Sequence, residues 1–315
     1  MRTHPEKSPR IYVYGPVPSR RLGFSLGIDI IPFKTCTLDC VYCQLGRTPE
    51  KTLQRKKFFT SAEIVAQIKE KLSSGQRIDI ITFSGSGEPT LNKALGELIK
   101  GIKKITSIRV AVLTNSTLFA DTNVRKSLTH ADLIVPSLDA ATQKVFLKTN
   151  RPCAPLKIKD VIEGLVKFRQ EFTGQIWLEI MLVKGVNDSP SHIQKLKEAA
   201  SRIKPDKIQL NTVVRPPAEK SARPLSHDEL KKIKKIFGRN CEIIAEFDKK
   251  QKVPAQKDLE IAILEMIQRR PVTLLDISVS LGRHANEVIK YLDLLMNEGK
   301  IQSVKYKDSK YYETV

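Results

Sequence analysis

Residues 78–89 have the sequence Ile-Asp-Ile-Ile-Thr-Phe-Ser-Gly-Ser-Gly-Glu-Pro. The β-branched residues of 78–83 predict a buried strand, and the glycines and proline that follow it predict a turn. Residues 60–71 before this stretch and 93–103 after it carry apolar side chains at helical spacing. Thr60 and Glu63 also match the pattern of a capping box at the first of these helices. The strand therefore lies between two helices, as in a βα repeat.

The same alternation continues on both sides of this strand. The predicted strands are 25–31, 78–83, 108–113, 132–137, 176–183 and 207–213. The predicted helices are 60–71, 93–103, 123–128, 142–148, 159–172, 191–202 and 226–237. Six strands are fewer than the eight of a complete barrel, so the sequence predicts an α/β fold with a partial (β/α)6 TIM-type barrel. In such a fold, functional residues lie at the carboxyl ends of the strands.

The last part of the chain has a different pattern. Residues 249–257 are polar and predict a linker, and helices follow at 259–269, 273–281 and 286–298. A hairpin of strands 301–306 and 310–313 then turns at Asp308 and Ser309. Three helices followed by a hairpin predict a winged helix. The expected domains are 1–248, a linker at 249–257, and a winged-helix domain at 258–315.

Composition narrows the functional class. The chain has 315 residues, 54 Lys and Arg, 34 Asp and Glu, and a formal net charge of +20. No apolar run approaches the ~20 residues of a membrane helix, and the polar N-terminus has no secretory h-region. We therefore expect a cytoplasmic protein with reduced thiols and no membrane partner.

The positive charge is unevenly distributed. Residues 1–250 have a net charge of +19, and residues 251–315 have a net charge of +1. This excess predicts an anionic partner such as nucleic acid for the first part. A lysine-rich solvated surface would have the same composition, so both interpretations remain open.

Three of the five cysteines form the pattern Cys36-x3-Cys40-x2-Cys43. Structural zinc sites use four ligands, usually in two separated pairs, and a disulfide would leave one cysteine of the three unpaired. Three thiolates on one loop instead favour a cubane iron–sulfur cluster with one iron free of protein ligands. Incidental or zinc-binding cysteines are the alternative. The sequence assigns no role to Cys153 or Cys241.

The cysteine spacing, with Tyr42 before the third cysteine, resembles the radical S-adenosylmethionine (SAM) superfamily. The resemblance covers about residues 11–217. It implies a [4Fe–4S] cluster whose open iron binds SAM, a reductant for the cluster, and a 5′-deoxyadenosyl radical that abstracts a substrate hydrogen. The protein itself would supply binding, orientation and exclusion of side reactions.

Residues 84–89 resemble the Gly-Gly-Glu motif of that superfamily, which holds the SAM amino group. Tyr42, Gly85, Gly87 and Glu88 are therefore expected to bind the cofactor. Glycines allow close backbone approach to a ligand, and a carboxylate accepts strong hydrogen bonds from an ammonium group. Ser86 stands where the family often has glycine. A strand-to-helix turn with a surface glutamate is the structural alternative.

Further candidates follow from strand position. Asn115, Ser137 and Asp139 end the third and fourth predicted strands, where residues of similar enzymes reach the SAM ribose or carboxylate. All three residue types are also common helix caps and turn formers, so this alternative stays open. Glu179 shares a strand face with Trp177 and should point into the barrel. A buried carboxylate must be paired or used in binding, which makes Glu179 a ligand candidate.

Residues 14–23, 43–48 and 150–152 resemble the branch of wybutosine-type tRNA-modifying enzymes. The wybutosine enzyme carries three additional cysteines before its radical SAM motif, and this sequence has none before Cys36. The resemblance therefore concerns the branch and not the wybutosine reaction. It makes tRNA a candidate substrate.

Arginine binds phosphate and carboxylate through two parallel hydrogen bonds. Arg20 and Arg21 are the main candidates for contact with an anionic substrate, and Arg47, Arg151 and Arg215 are further ones. Each of them is equally compatible with a structural role. The winged helix is expected to bind nucleic acid or protein. The alternative to an enzyme is a DNA-binding regulator whose iron–sulfur cluster senses redox state.

Overall fold

The computed structural model describes residues 10–19, 21–215, 217–245, 257–269, 271–306 and 309–315. Eight strands pair in chain order into one sheet. They are β1 Val13–Ser19, β2 Gly23–Ile28, β3 Ile80–Phe83, β4 Val110–Thr114, β5 Leu133–Pro136, β6 Gln175–Leu182, β7 Lys207–Thr212 and β8 Cys241–Ile243. The connecting helices are α1 Ser61–Ser73, α2 Leu95–Ile105, α3 Thr122–Leu128, α4 Gln143–Thr149, α5 Ile158–Glu171, α6 Pro190–Ile203 and α7 His227–Phe237.

Strands β2 to β8 run parallel, and β1 pairs antiparallel with β2. All six predicted strands are present, which confirms the α/β class and the parallel sheet. The two end strands were not predicted. β1 carries Pro16 and Pro18, which are tolerated at a sheet edge but interrupt a strand pattern. β8 has three residues, too few for a periodicity.

The strands have two differently packed faces. In β6, Leu178, Ile180 and Leu182 join the large core between the sheet and the helices. Trp177 belongs to a separate cluster on the other face, with Leu22, Ile80, Ala111, Leu133 and Val135. Glu179 and Met181 follow Trp177 on that face toward the carboxyl end of β6 and line a cavity. The inner side of the sheet is therefore apolar at one end and open at the other.

The predicted capping box of α1 is wrong. Thr60 is the N-cap residue, but its side chain makes no capping hydrogen bond. Glu63 instead accepts a hydrogen bond from the Tyr12 hydroxyl, 3.1 Å away. The contact with Tyr12 beside β1 replaces the local cap, because a long-range donor was available that the local pattern does not reveal.

The C-terminal unit comprises the described residues of 257–315. Three helices and a three-stranded antiparallel sheet of order β10-β11-β9 surround their own apolar core. The elements are α8 Lys257–Arg269, β9 Val272–Thr273, α9 Leu274–Ser280, α10 Ala285–Asn297, β10 Ile301–Tyr306 and β11 Ser309–Thr314. The predicted helices and strands lie within two residues of these bounds. Residues 249–256 of the predicted linker and Asp308 of the predicted turn lie outside the described residues.

Among the described residues, no helix is both long enough and apolar enough to cross a membrane.

Candidate active site

A cavity of about 420 Å³ lies at the carboxyl ends of the parallel strands. Small-molecule sites of enzymes commonly have volumes in this range. Its wall combines residues 34–48, here called the cysteine loop, with residues 84–89, here called the motif loop. The ends of β4 to β7 and the side of α10 complete it. The cavity therefore lies where the fold predicts functional residues.

All three cysteines of the cysteine loop line this cavity, and their thiols are free. Each sulfur accepts a hydrogen bond from a nitrogen donor. Asn115 Nδ2 lies 3.5 Å from Cys36 Sγ, Asn150 Nδ2 lies 3.4 Å from Cys40 Sγ, and Lys34 Nζ lies 3.2 Å from Cys43 Sγ. Donors of this kind stabilise the negative charge of a metal-bound thiolate and tune its metal.

The pKa values of Cys36 and Cys40 indicate that these thiols ionise only beside a positive charge. Burial and, to a smaller extent, the neighbouring Glu88 carboxylate raise the pKa of Cys36 to about 12. Burial, with Asp139 nearby, also raises the pKa of Cys40 well above its usual range. Both thiols therefore stay protonated unless positive charge binds beside them. An iron–sulfur cluster would supply this positive charge, and its binding would release the thiol protons.

Among the described residues, no group of three or more His, Cys, Asp or Glu side chains converges on the position of a single metal ion. A cubane cluster places a separate iron at each thiolate, so its ligands need not meet at one point. The cysteines and their three nitrogen donors fit such a cluster.

A network of charged side chains that do not line the cavity supports the cysteine loop. Asp39 accepts a hydrogen bond from the Thr48 backbone at 2.7 Å and forms an ion pair with Arg47 at 3.2 Å. Glu219 pairs with Arg151 at 2.8 Å and with Arg47 at 3.3 Å. Neither arginine lines the cavity. Arg47 and Arg151 thus support the cysteine loop, which is the structural role left open for them, and their contact with a substrate stays a prediction.

Glu88 is buried beside the cavity and accepts four hydrogen bonds. Three reach Oε1, from the Thr90 backbone at 3.1 Å and from the Thr90 and Thr114 hydroxyls at 2.6 Å each. The fourth reaches Oε2 from the Asn115 backbone at 2.7 Å. Burial raises the pKa of Glu88, and these hydrogen bonds oppose the rise. Only one of the four hydrogen bonds reaches Oε2, so this oxygen has a lone pair for another donor.

The two glycines of the motif loop line the cavity and also pack tightly against other parts of the protein. A Cβ atom at Gly85 would lie 2.3 Å from the Asp29 carboxyl group, and one at Gly87 would lie 1.9 Å from the Thr35 carbonyl oxygen. The space beside each glycine is therefore filled by protein. Packing of the motif loop against Asp29 and the cysteine loop is therefore one reason for glycine at both positions, and the predicted contact with the cofactor stays a prediction.

Asn115, Ser137 and Tyr42 line the cavity as expected. Asn115, which follows β4, contacts both loops of the cavity. Its side chain donates to Cys36 and, at 2.8 Å, to the Thr37 hydroxyl of the cysteine loop, and its backbone donates to Glu88 of the motif loop. The Ser137 carbonyl accepts a hydrogen bond from Ser116 at 2.5 Å. These contacts fix the loops after β4 and β5.

Asp139 is not among the residues that line the cavity, and its predicted contact with the cofactor stays a prediction. Its carboxylate is buried and accepts hydrogen bonds from the Tyr42 hydroxyl, from Asn150 Nδ2 at 2.7 Å and from the Met181 backbone at 2.9 Å. Burial raises its pKa to about 6, and these hydrogen bonds oppose the rise. Asp139 therefore positions Tyr42 and Asn150, the side chain that donates to Cys40.

Glu179 lies in the cavity with two cationic or polar partners. Arg21 Nη1 is 2.6 Å from its Oε2, and Asn211 Nδ2 is 2.8 Å from its Oε1. The side chains of Arg21 and Glu179 are 11% and 13% exposed. The carboxylate is thus paired within the protein, and the predicted contact of Glu179 with the cofactor stays a prediction. Arg20, the other predicted substrate residue, lies outside the described residues.

Several residues of the site had no clear sequence signal. Lys34 and Asn150 reach the cysteines, and Asn286 and Lys290 of α10 line the cavity. Asn150 lies in one of the stretches that resemble the wybutosine-type branch, so a signal existed for it. The α10 residues are more than 200 positions from the cysteine loop, and no local pattern connects them with it.

Comparisons with known proteins place this site in a family. The model for the radical SAM superfamily matches residues 30–196. A UPF0026 protein of Methanocaldococcus jannaschii is 32% identical over 306 residues, which are 95% of this chain and 94% of that protein. The protein named GTPase Obg in Brachyspira hyodysenteriae is 39% identical over 293 residues. They are 92% of this chain, and the chain spans only 43% of that longer relative.

More distant similarities point the same way. The dual-specificity RNA methyltransferase RlmN of Oleidesulfovibrio alaskensis is 28% identical over 202 residues, 60% of this chain and 54% of that protein. The crystal structure of a radical SAM methyltransferase from Sphaerobacter thermophilus matches with a TM-score of 0.51 at 18% identity. This match covers 70% of this chain and 65% of that chain, and it shows a shared fold. The chain belongs to the radical SAM superfamily and is an enzyme whose cofactors are a [4Fe–4S] cluster and SAM.

Proposed function

We propose that this enzyme modifies an anionic substrate, RNA, by hydrogen abstraction. When bound, the cluster and SAM supply one-electron cleavage of SAM to methionine and a 5′-deoxyadenosyl radical, with an external reductant as the electron source. The observation that carries the proposal is the shared cavity. It brings the three cysteine sulfurs, the Glu88 carboxylate and the Arg21–Glu179 pair to one space of about 420 Å³.

On the cofactor side, Cys36, Cys40 and Cys43 are the proposed cluster ligands. Glu88 is the proposed acceptor for the SAM ammonium group, through the remaining capacity of Oε2. Asn115 and Ser137 are placed to contact the rest of SAM. Gly85 and Gly87 keep the motif loop packed against the cysteine loop, so that both loops face the cavity together.

Tyr42 is the proposed cofactor contact that depends on a partner behind the cavity. Its hydroxyl donates to Asp139, which fixes the ring in the cavity wall. A hydrogen-bonded aromatic ring of this kind both excludes water and limits side-chain motion at the site.

On the substrate side, Arg21 and Glu179 are the proposed contacts. Arg21 can bind a phosphate with part of its guanidinium while it holds Glu179. The eight-stranded sheet with helices α1 to α7 is the proposed partial barrel, here called the barrel. Residues 1–250 carry the +19 net charge, which attracts a polyanion toward it. The similarity to a protein named RNA methyltransferase supports RNA over other anions. Arg20 remains a proposed contact beside Arg21, and tRNA of the wybutosine-type branch is the first RNA to test.

The C-terminal unit is proposed to be a winged helix. Its first α10 turn, which a DNA-binding winged helix would present to a groove, is turned toward the barrel. Ala285 and Glu287 in that turn are buried. This placement counts against the DNA-binding regulator. We further propose that the enzyme works in the cytoplasm, where its thiols stay reduced.

The substrate can be tested with RNA from cells that lack this protein. The reconstituted enzyme is incubated anaerobically with that RNA, SAM and dithionite, and the nucleosides are then analysed by mass spectrometry. We expect a new modified nucleoside, and an Arg21→Gln variant should form at least about tenfold less of it because a bidentate phosphate contact is lost. Arg202→Gln, which removes a cation exposed on α6, is the matched control and should have no effect. Unchanged RNA would contradict an RNA substrate.

A further inference from the structure

The C-terminal unit contacts the barrel through the residue that begins α10. His284 is the N-cap of α10, and its Nδ1 accepts a hydrogen bond from the Asn286 backbone at 3.1 Å. Its Nε2 lies 2.8 Å from Asp29 Oδ2, just after β2. Because Nδ1 is the acceptor, Nε2 carries the proton and donates it to Asp29. The two side chains are 7% and 3% exposed, so this is a contact within the interior.

Asp29 contacts both His284 and the motif loop. The same Oδ2 accepts a hydrogen bond from the Ser86 backbone at 3.0 Å. The neighbouring Gly85 packs against the Asp29 carboxyl group so closely that a Cβ atom would not fit. The position of the motif loop therefore depends on where the Asp29 carboxylate is held.

A second contact connects α10 with the motif loop, through Tyr14 of β1. The Tyr14 ring stacks on the His284 ring, with centroids 4.1 Å apart and an interplanar angle of 8°. The Tyr14 hydroxyl accepts a hydrogen bond from Asn286 Nδ2 at 3.0 Å and lies 3.0 Å from the Ser84 hydroxyl. Both Ser84 and Ser86 are thus connected to α10 through one intermediate side chain each.

The cysteine loop is connected to α10 as well. Arg215 Nε pairs with Asp293 of α10 at 2.5 Å, and Arg215 Nη1 donates to the Gln44 side chain at 2.6 Å. Leu45 packs against the apolar core of the C-terminal unit. Asn286 and Lys290 line the cavity itself. The C-terminal unit therefore contacts both loops that the barrel contributes to the cavity.

We propose that the C-terminal unit forms one wall of the SAM cavity and that His284 is a positioning residue, which acts through Asp29 on the motif loop. This inference rests on the proposed binding of SAM at that loop. A buried carboxylate that loses a donor must find another one or become exposed to water. Without His284, Asp29 therefore moves, and the Ser86 and Gly85 backbone moves with it.

Two substitutions separate the two hydrogen bonds of His284. Asparagine places its side-chain oxygen near the position of Nδ1 and is a good N-cap residue, but it is too short to reach Asp29. Glutamine places its amide nitrogen near the position of Nε2 and can still donate to Asp29. His284→Asn thus keeps the cap and removes the contact, and His284→Gln keeps the contact. Thr273→Ala is the control, since it removes the capping box of α9 in the same unit, away from Asp29.

The first measurement is amide hydrogen exchange of the peptide that contains residues 84–88, without cluster or SAM. The second is the Kd for SAM, by calorimetry on reconstituted proteins of equal iron content. In the same samples, the electron paramagnetic resonance spectrum of the reduced cluster is compared before and after SAM addition. We expect faster exchange and an at least tenfold weaker Kd in His284→Asn, as is typical when a supporting contact is lost. His284→Gln and Thr273→Ala should stay near the wild type in both.

A His284→Asn protein that exchanges and binds SAM like the wild type would overturn the inference. An equal loss in Thr273→Ala would also overturn it, because general loosening of the unit would then be the cause. A wild-type protein with a full cluster that binds no SAM would contradict the proposed function instead. In that case, exchange at residues 84–88 still decides whether His284 positions the loop.

Discussion

Each cysteine of the cysteine loop accepts a hydrogen bond from a side-chain nitrogen, and these three side chains come from different parts of the chain. Lys34 lies on the cysteine loop itself, Asn115 follows β4, and Asn150 follows α4. The sequence predicted the three sulfurs because their spacing is local. It did not single out Lys34 or Asn150 as their partners, because those positions become adjacent to the sulfurs only when the chain folds.

Cluster binding gives a direct prediction for single cysteines. Cys40→Ala should reduce iron and acid-labile sulfide, after anaerobic reconstitution, from about four atoms of each per chain to near background. Cys153→Ala is the matched control, since Cys153 does not line the cavity, and it should keep the wild-type content. Equal loss of iron in both variants would contradict the assignment of the ligands.

Lys310 of β11 predicts a pH dependence of stability. Its Nζ is buried without a hydrogen-bond partner in the described part of the chain, and burial lowers its pKa to about 8. Between that value and the ordinary pKa of 10.5, the unfolded state binds more protons than the folded state. Stability contributed by this group therefore rises with pH in this interval and is lost as pH falls through about 8.

Lys310→Met should consequently stabilise the protein near pH 7 by up to about 3 kcal/mol. The advantage should shrink as pH rises from about 8 to 10.5 and should largely disappear above about pH 11, where the wild-type lysine is neutral in both states. Denaturant unfolding of both proteins near pH 7 and above about pH 11 measures the difference. A variant that is less stable than the wild type near pH 7 would show that the lysine is needed in its charged form.

At the scale of elements, the packing of the motif loop against the cysteine loop can be tested with one methyl group. Gly87→Ala places a Cβ atom 1.9 Å from the Thr35 carbonyl, so the two loops must separate. We expect a loss of about 1–3 kcal/mol in unfolding free energy, as for other overpacked sites, together with lower cluster content.

Gly101→Ala is the control for this substitution. A Cβ atom at Gly101 has no neighbour within 4 Å, and the residue lies within helix α2. Alanine should stabilise that helix by up to about 1 kcal/mol. Both stabilities are measured by thermal and chemical unfolding. A Gly87→Ala protein with wild-type stability and iron content would contradict the close contact of the two loops.

The elements of the fold were largely predictable, and the reasons differ from one element to another. β3 and β4 are short apolar runs between amphipathic helices, a pattern that local sequence carries completely. β1 was missed because its prolines resemble a loop, although its edge position tolerates them. The hydrogen-bond partners of Asp139 were also not predicted. Position at a strand end was visible in the sequence, but the Tyr42 and Asn150 side chains that occupy its carboxylate were not.

At the scale of the whole molecule, net charge predicts how the enzyme meets its substrate. Residues 1–250 carry +19 and residues 251–315 carry +1, so the barrel is the expected binding surface for RNA. Each neutralised phosphate of a single strand contributes a slope of about −0.7 to the plot of log K against log salt concentration. We expect a slope of several units for the full chain in filter-binding assays with tRNA. A flat plot would contradict the predicted contacts between the protein and the phosphates of the RNA.

The arrangement of the two parts of the chain changes how that charge is interpreted. The winged-helix pattern alone would place nucleic acid on the C-terminal unit. In the folded chain, the beginning of α10 is used for contact with Asp29 and Tyr14 of the barrel. No property of the sequence of α10 distinguishes these two uses, because the partner lies about 250 residues away.

The central claim is that this chain cleaves SAM reductively at the cavity of the cysteine and motif loops. Its most direct test is chromatographic measurement of 5′-deoxyadenosine after anaerobic incubation of the reconstituted protein with SAM and dithionite. We expect the wild type to form 5′-deoxyadenosine and Cys40→Ala to form none above background. Wild-type protein with a full cluster that forms no more 5′-deoxyadenosine than Cys40→Ala would contradict it.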